Sequence, residues 1–183
     1  VIYLPVLVVG SDIMFNAVSQ LFHEWRQWQA YRATPLESRE VVFYSEGAGY
    51  WTHFEPIVRH WLNSQQQELV YLTSDINDPL IMEPIDGVKA FYIGTGTIRT
   101  LLFATMQAKL VVMTMPDLET YYIKRSPNVD HYAYIHHSMV SCHMVYREQA
   151  FDHFDSILCV GPHHIDEIRE REKQIGLPAK KLI

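Results

Sequence analysis

The sequence predicts an α/β fold, a Rossmann-like doubly wound parallel sheet preceded by an amphipathic helix. From residue 39 onward, short β-branched and aromatic runs alternate with helical segments, which is typical of a sheet covered by helices. The runs are nearly continuously apolar, as expected for parallel strands buried on both faces. With 183 residues, 48% of them hydrophobic, the chain suits one domain with its own core. We divide it into a helix and linker, 1–38, and a Rossmann-like lobe, 39–183.

The N-terminal segment opens with the apolar run VIYLPVLVVG. It lacks a basic start, so it does not read as a secretory signal, and Asp12 and Asn16 interrupt it before it could span a membrane. From Ile13 a helical apolar stripe follows, formed by Met14, Val18, Leu21, Trp25 and Trp28. Two interpretations stay open: a helix packed on the following domain, or an interfacial helix with its Trp residues at a lipid headgroup layer. The stretch ATPLESRE (33–40) reads as a linker.

Six strands and three helices are predicted in the lobe. The strands are VVFYS (41–45), ELVYLTS (68–74), VKAFYIG (88–94), KLVVMTM (109–115), HYAYIHH (131–137) and DSILCVG (155–161). The helices cover 53–63, 97–107 and 162–176. Pro162 at the start of the last helix and Gly176 at its end are both boundary signals. In such a sheet, ligands bind beyond the carboxyl ends of the strands, so a site is expected in the loops that follow them.

Composition excludes some functions. The formal net charge is −6, and no cluster of Lys and Arg is present to contact phosphates along a nucleic acid. The two cysteines, Cys142 and Cys159, form no CxxC pattern, which favours a reducing compartment. The chain begins at Val1 and stops at GLPAKKLI, and we expect it to belong to a longer protein.

Glycine-containing turns follow the first and third strands. After the first, backbone amides could approach a phosphate or hydroxylated ligand, or the glycines could serve a tight turn with positive φ. After the third, free N–H groups at a helix start, capped by a hydroxyl, point toward the same cleft. The candidate binding residues in these two turns are Ser45, Glu46, Gly47, Gly49, Gly94, Thr95, Gly96 and Arg99, the last as an anion-binding cation.

The loop after the fourth strand places Asp117 directly at a strand tip, where we expect it to face the cleft. Lys124 and Arg125, farther along, are interpreted as a solvated charge pair in the crossover.

The fifth strand ends in YIHHSMVSCHMVY (134–146), which holds three of the ten histidines. Strand alternation sends His136 and His137 to opposite sides, so one of them can aim squarely into the cleft. A general base needs only a cleft and an orienting partner, whereas zinc needs three or four convergent ligands and a recognisable spacing. We therefore predict that one of these two adjacent histidines acts as a general base, and we predict no metal site. His163 and His164 are interpreted as the first residues of the last helix.

Two stretches resemble a known family. VVMTMPDLETYYIKRSPNVDHYAYIHHSMVSCHMVYREQAFDHFDSILCVGPHHIDEI and FYSEGAGYWTHFEPIVRHW are similar to the acceptor-side lobe of the CDP-glycerol glycerophosphotransferases of bacterial teichoic-acid synthesis. Where that family has Trp-His-Gly-Thr at a strand end, this chain has Ile135-His136-His137-Ser138. The substitutions of Trp by Ile and of Gly by His indicate a divergent branch.

The resemblance implies one lobe of a two-lobed GT-B enzyme. His136 would take the proton of an acceptor hydroxyl, whose oxygen attacks the β-phosphorus of CDP-glycerol, and no cofactor is needed. His137 and Ser138 would line the acceptor site. Most contacts to CDP-glycerol would come from a second lobe, so this lobe alone is not expected to catalyse the transfer. The implied acceptor is a lipid-linked polyol phosphate at the cytoplasmic face of the cell membrane, which adds weight to an interfacial N-terminal helix.

Two other functions stay open. The lobe could belong to a GT-B glycosyltransferase that uses a nucleotide sugar, or it could bind a polyol phosphate without catalysis. The simplest alternative is an α/β domain in which the histidines only pack.

Overall fold

The computed structural model describes residues 6–119 and 123–183, with side chains from residue 17 onward. Within these ranges, seven parallel strands form one sheet in the order β3-β2-β1-β4-β5-β6-β7. The strands are β1 Val41–Ser45, β2 Leu69–Thr73, β3 Val88–Tyr92, β4 Ala108–Met113, β5 Val129–Ile135, β6 Ser156–Leu158 and β7 Lys181–Leu182. The helices are α1 Val6–Ala33, α2 Trp51–Gln65, α3 Pro79–Met82, α4 Thr97–Thr105, α5 Cys142–Val145 and α6 Pro162–Ile175, with 3-10 turns at Glu37–Arg39 and Ala48–Tyr50. The predicted Rossmann-like α/β fold is confirmed.

The chain reverses its direction across the sheet at β1. It first moves outward through β2 to β3, and then returns to place β4 on the other side of β1. Val42 of β1 consequently pairs with Val70 of β2 and with Val111 of β4. The carboxyl ends of β1 and β4 therefore diverge into loops on opposite sides of one crevice, which is where open α/β sheets bind ligands.

Alternation along the strands produces two apolar layers. Val41 and Phe43 face α2 and α3, whereas Val42 and Tyr44 face the layer formed by α1, α4, α5 and α6. All five residues of β1 are buried, because this central strand is covered on both faces. The near-continuous apolar runs in the sequence reflect this double coverage.

All six predicted strands and three predicted lobe helices are present. The ends differ by up to a few residues, and β7, α3 and α5 were not predicted, because elements of two to four residues carry too little periodicity. The last helix ends as predicted at Gly176, which takes the left-handed conformation with φ 70°.

The N-terminal helix α1 packs on the domain along one face. Trp28 and Tyr31 join the core, and the Tyr31 ring meets Phe91 of β3 edge-on, with centroids 6.0 Å apart. Part of the predicted apolar stripe instead faces solvent: Val18, Leu21 and Trp25 are 61%, 50% and 43% exposed. Residues 1–5 of the opening apolar run and the side chain of Met14 lie outside the described residues. No helix that the structure describes is long and apolar enough to cross a bilayer.

Candidate functional site

The turn after β1 forms one wall of the crevice. The hydroxyl of Ser45, itself fully buried, donates to the carbonyl of Gly47 at 2.7 Å. Glu46 follows, half-buried; burial raises the pKa of its carboxyl, while a hydrogen bond with Tyr50 and the charge of Arg99 act in the opposite direction. The turn therefore presents an acidic side chain next to a tyrosine and within the field of an arginine.

The glycines of this turn are not required by its backbone. Gly47 is extended, with φ −169°, and Gly49 does not take a left-handed conformation. A Cβ atom at Gly49 would have no atom of the described residues within 4 Å, and one at Gly47 would meet the Tyr50 ring at 3.8 Å. Of the two interpretations of these glycines, the positive-φ turn is excluded. The space above the turn is open, as the ligand interpretation requires.

Arg99 is held in the crevice by a chain of hydrogen bonds. Its Nη1 donates to the Tyr44 hydroxyl at 3.2 Å, Tyr44 bonds to the Ser74 hydroxyl at 2.9 Å, and Ser74 donates to the carbonyl of Gly94 at 2.6 Å. Because Ser74 gives its only hydroxyl proton to Gly94, Tyr44 must donate to Ser74 and accept from Arg99. The Nε–H of Arg99 is buried and has no partner in the described part of the chain. One donor of this guanidinium is thus unsatisfied in the crevice.

The turn after β3 divides into two parts. Gly94 is left-handed, with φ 63°, and a side chain there would overlap the carboxylate of Glu24 from α1. Thr95 and Gly96 are exposed at the start of α4, and the predicted hydroxyl cap is not formed, since Gly96 occupies the cap position. Gly94 therefore serves the packing of α1, and Thr95 and Gly96 are the members of this predicted set that are open to a ligand.

Asp117 lies in the loop after β4, four residues beyond the end of the strand rather than at its tip, and is half-buried. It takes a left-handed conformation, with φ 62°, and its backbone N–H donates to the carbonyl of Ala150 at 2.9 Å. Asp tolerates this conformation better than most residues. The loop after β4 is thereby attached to the segment that follows α5.

His137 lies in the crevice at the end of β5. Its ring is half-buried and meets the ring of Tyr50 edge-on at 5.0 Å and that of His53 at 5.7 Å. Burial and the neighbouring His53 lower the pKa of His137, so the ring is neutral at pH 7. The next predicted residue, Ser138, is half-buried, and its hydroxyl accepts from the amide of Val140 at 3.3 Å. The structure thus brings His137 together with Tyr50, and through Tyr50 with Glu46.

His136 points to the opposite side and is only 3% exposed. Its ring stacks on His164 of α6, with centroids 3.9 Å apart and an interplanar angle of 26°, and contacts Tyr134 and Phe151. Burial, with a smaller contribution from His164, lowers the pKa of His136 to about 3. The predicted divergence of the two adjacent histidines is observed. The ring that lines the crevice is His137, and the predicted base His136 lies beneath the surface.

Sequence reasoning missed the role of His164. His164 lies in the first turn of α6, as the sequence predicts, and in addition its side chain is fully buried against His136 and close to Cys142. No local spacing could have revealed this, because α6 reaches His136 only after the chain has passed through β6.

No family model, curated protein or solved structure matches the chain.

Proposed function

We propose that this chain is the acceptor-side lobe of a phosphotransferase that moves glycerol phosphate from CDP-glycerol to a hydroxyl of a lipid-linked or polyol-phosphate acceptor. The observation that carries the proposal is the meeting of His137, Tyr50 and Glu46 at the crevice between β1 and β4, with Arg99 near them. A neutral imidazole, a half-buried guanidinium and an open glycine turn are groups that suit a hydroxylated, anionic acceptor.

The general base is proposed to come from the adjacent pair His136 and His137. A base must come within hydrogen-bonding reach of the acceptor hydroxyl. In this arrangement His137 is half-buried at the crevice, whereas His136 is 3% exposed and, with a pKa of about 3, a weak base. Geometry therefore favours His137 for direct contact, and His136 would act only if the segment after β5 moved aside.

Transfer is proposed to occur by direct displacement at the β-phosphorus of CDP-glycerol. The acceptor O–H bond breaks and its proton passes to the imidazole nitrogen, while the oxygen forms a bond to the β-phosphorus of CDP-glycerol. The bond between that phosphorus and the bridging oxygen breaks, and CMP leaves with the electron pair. Arg99 would neutralise part of the phosphate charge in the crevice. Such transfer depends mainly on positioning and electrostatic stabilisation. The donor contacts are proposed to lie in a second lobe.

Transfer of labelled glycerol phosphate by the full-length protein tests the proposal. We expect His137→Ala to slow transfer by about 10²- to 10⁴-fold, the usual contribution of a general base, and to leave the circular dichroism spectrum unchanged. His136→Ala measures the alternative assignment, and His143→Ala, an exposed histidine of the same segment, is the matched control. If His136→Ala and His137→Ala both keep the wild-type rate of transfer, the acid–base proposal is wrong.

Two further outcomes identify the competing functions. Turnover of nucleotide sugars, but not of CDP-glycerol, by the full-length protein would indicate a glycosyltransferase. Binding of glycerol phosphate oligomers that Arg99→Ala weakens, with no turnover of either donor class, would indicate a non-catalytic binding lobe.

The proposed location is the cytoplasmic face of the cell membrane, with α1 in peripheral contact with lipid. In support, Val18, Leu21, Phe22 and Trp25 recur at helical spacing and are 61%, 50%, 63% and 43% exposed, so they form an apolar stripe on the outer side of α1. Arg26 and Arg32 are also exposed on this helix and could contact anionic headgroups.

A further inference from the structure

Three side chains that can bind metal converge beneath the crevice. His136 at the end of β5, Cys142 at the start of α5 and His164 in the first turn of α6 each offer one ligand atom, and these atoms lie within 4.8 Å of one another. Their residues are 3%, 8% and 0% exposed. Acidic side chains often cluster on protein surfaces without binding a metal. This cluster differs because its three ligating groups are buried and come from three separate elements.

The tautomer of His164 leaves a nitrogen lone pair in this cluster. Its Nε2 lies 2.8 Å from the carbonyl oxygen of Val140, and because a carbonyl only accepts, Nε2 carries the hydrogen. Its Nδ1 is then an acceptor, and it is buried without a hydrogen-bond partner among the described residues. Metal-binding histidines are oriented by this kind of bond between the second ring N–H and a backbone carbonyl.

His136 and Cys142 complete the donor set. The Nε2 of His136 lies 3.8 Å from Sγ of Cys142, close to the separation of two ligands on one ion, and its Nδ1 is also buried and unpartnered in the described structure. The amide of His136 donates to the carbonyl of Leu158 at 3.1 Å, which holds its backbone in line with β5. A thiol that binds a metal ion loses its proton, so this site would hold Cys142 as a thiolate.

Glu167 supports the segment that carries Cys142. Its carboxylate accepts from the Cys142 amide at 2.6 Å and from the Ser141 hydroxyl at 2.5 Å. Cys142 and Glu167 also line a cavity of about 430 Å³ between α5 and α6. An ion could reach the thiol from this cavity, and water could complete a fourth position.

The donor set selects the ion. Two imidazoles and a thiolate suit Zn²⁺ and its neighbours Co²⁺ and Cu²⁺, whereas Mg²⁺ and Ca²⁺ prefer oxygen ligands. The rings of His136 and His164 are stacked, 26° from parallel, so the in-plane lone pairs of their nitrogens lie in two nearly parallel planes. One ring must therefore turn about its Cβ–Cγ bond before a nitrogen of each can bind the same ion. This rearrangement costs affinity, and binding should therefore be weaker than at a site whose ligands already converge on one point.

We propose that His136, Cys142 and His164 form a binding site for a single Zn²⁺ or a related divalent transition metal. The site stands independently of the proposed transferase reaction, since its test requires no substrate or turnover.

Titration of the 183-residue chain with Co²⁺ tests the proposal directly. We expect one ion per chain, visible bands of tetrahedral cobalt, and a near-ultraviolet thiolate-to-cobalt charge-transfer band that Zn²⁺ abolishes by displacement. Cys142→Ser should remove the charge-transfer band, and the matched control Cys159→Ser should keep it. His164→Gln should weaken Zn²⁺ binding at least about tenfold, and His143→Gln should not.

Thermal unfolding supplies a second measurement of metal binding that does not depend on the absorption spectrum of cobalt. Zn²⁺ should raise the melting temperature of the wild type and of Cys159→Ser, but not that of Cys142→Ser, since an ion bound only by the folded state stabilises it. Absence of the charge-transfer band in the wild type, or its survival in Cys142→Ser, would overturn the proposal.

Discussion

The carboxylate of Glu24, on α1, fills the space that a side chain at position 94 would occupy. Gly94 is left-handed, and a Cβ atom there would overlap Oε1 of Glu24. Glu24 is only 4% exposed, and the Nε2 of Gln20 donates to its Oε1 at 3.0 Å. The N-terminal helix therefore packs closely against the loop that precedes α4. Part of α1 is therefore structural, although its outer stripe is free to contact another surface.

Gly94→Ala should destabilise the protein. The left-handed backbone alone costs a non-glycine residue about 1–2 kcal/mol, and displacement of Glu24 adds to this. Urea unfolding should show a lower midpoint with a similar slope. Gly96→Ala is the matched control, because position 96 has φ −97° and no atom of the described residues within 4 Å of its Cβ. Equal effects of the two substitutions would refute the Glu24 contact.

Arg125→Ala should destabilise the protein by about 1–3 kcal/mol, as expected for charge-assisted hydrogen bonds. Arg125 donates to Asp155 and to the carbonyl of His153, each at 2.7 Å, and Asp155 also accepts from the amide of Tyr132 at 2.7 Å. The substitution therefore releases the crossover loop from β5. The interpretation of a solvated charge pair fits only the neighbouring Lys124, which is exposed and contacts Glu119.

Lys124→Ala is the control for Arg125→Ala, and it should change the free energy of unfolding by no more than about 0.5 kcal/mol. Chemical denaturation of the two variants measures both free energies of unfolding under the same conditions. If Arg125→Ala lowers the free energy of unfolding no more than Lys124→Ala does, Arg125 does not tether the crossover loop.

Stability should fall as pH decreases below about 6.5, in part because of His136. Unfolded imidazole takes up a proton near its ordinary pKa, whereas burial delays protonation of folded His136 until about pH 3. The unfolded state thus binds more protons within this window, so the free energy of unfolding decreases by about 1.4 kcal/mol per pH unit for this group. At higher pH both states are neutral and the contribution to the slope vanishes.

Urea titrations at pH 7, 6 and 5, in the presence of a chelator, measure this slope. His136→Gln should flatten it by about 1 kcal/mol per pH unit between pH 7 and 5, because an unfolded imidazole is only partly protonated near pH 6.5. His143→Gln, at an exposed position, should leave the slope unchanged. An identical slope in His136→Gln and wild type would show that His136 is not held neutral by burial.

The exposed stripe of α1 predicts binding to anionic lipid vesicles. Phe22, 63% exposed, lies within the stripe, so Phe22→Glu should abolish cosedimentation because a carboxylate would enter the headgroup layer. Met82→Glu changes a 67% exposed apolar residue outside the stripe and should retain it. If Phe22→Glu cosediments as well as wild type, the stripe does not contact lipid.

Local patterns predicted most of the sheet. The apolar runs identified six parallel strands because each is covered on both faces, and Pro162 and Gly176 marked the ends of α6 because their backbone preferences act locally. The divergence of His136 and His137 followed from the two-residue period of a strand. The short elements α3, α5 and β7 were missed, since their few residues are ordered by contacts made elsewhere in the chain.

Local sequence patterns account for the elements, for the loops at which a site could form, and for the opposite directions of the two adjacent histidines. Which ring meets the crevice depends instead on the tertiary arrangement: the strand order β1-β4-β5 brings Tyr50 to His137, and α6 places His164 on His136. Side-chain direction along a strand is a local property of the backbone. The choice of neighbours depends on how distant apolar surfaces bury one another, and local spacing carries no record of that.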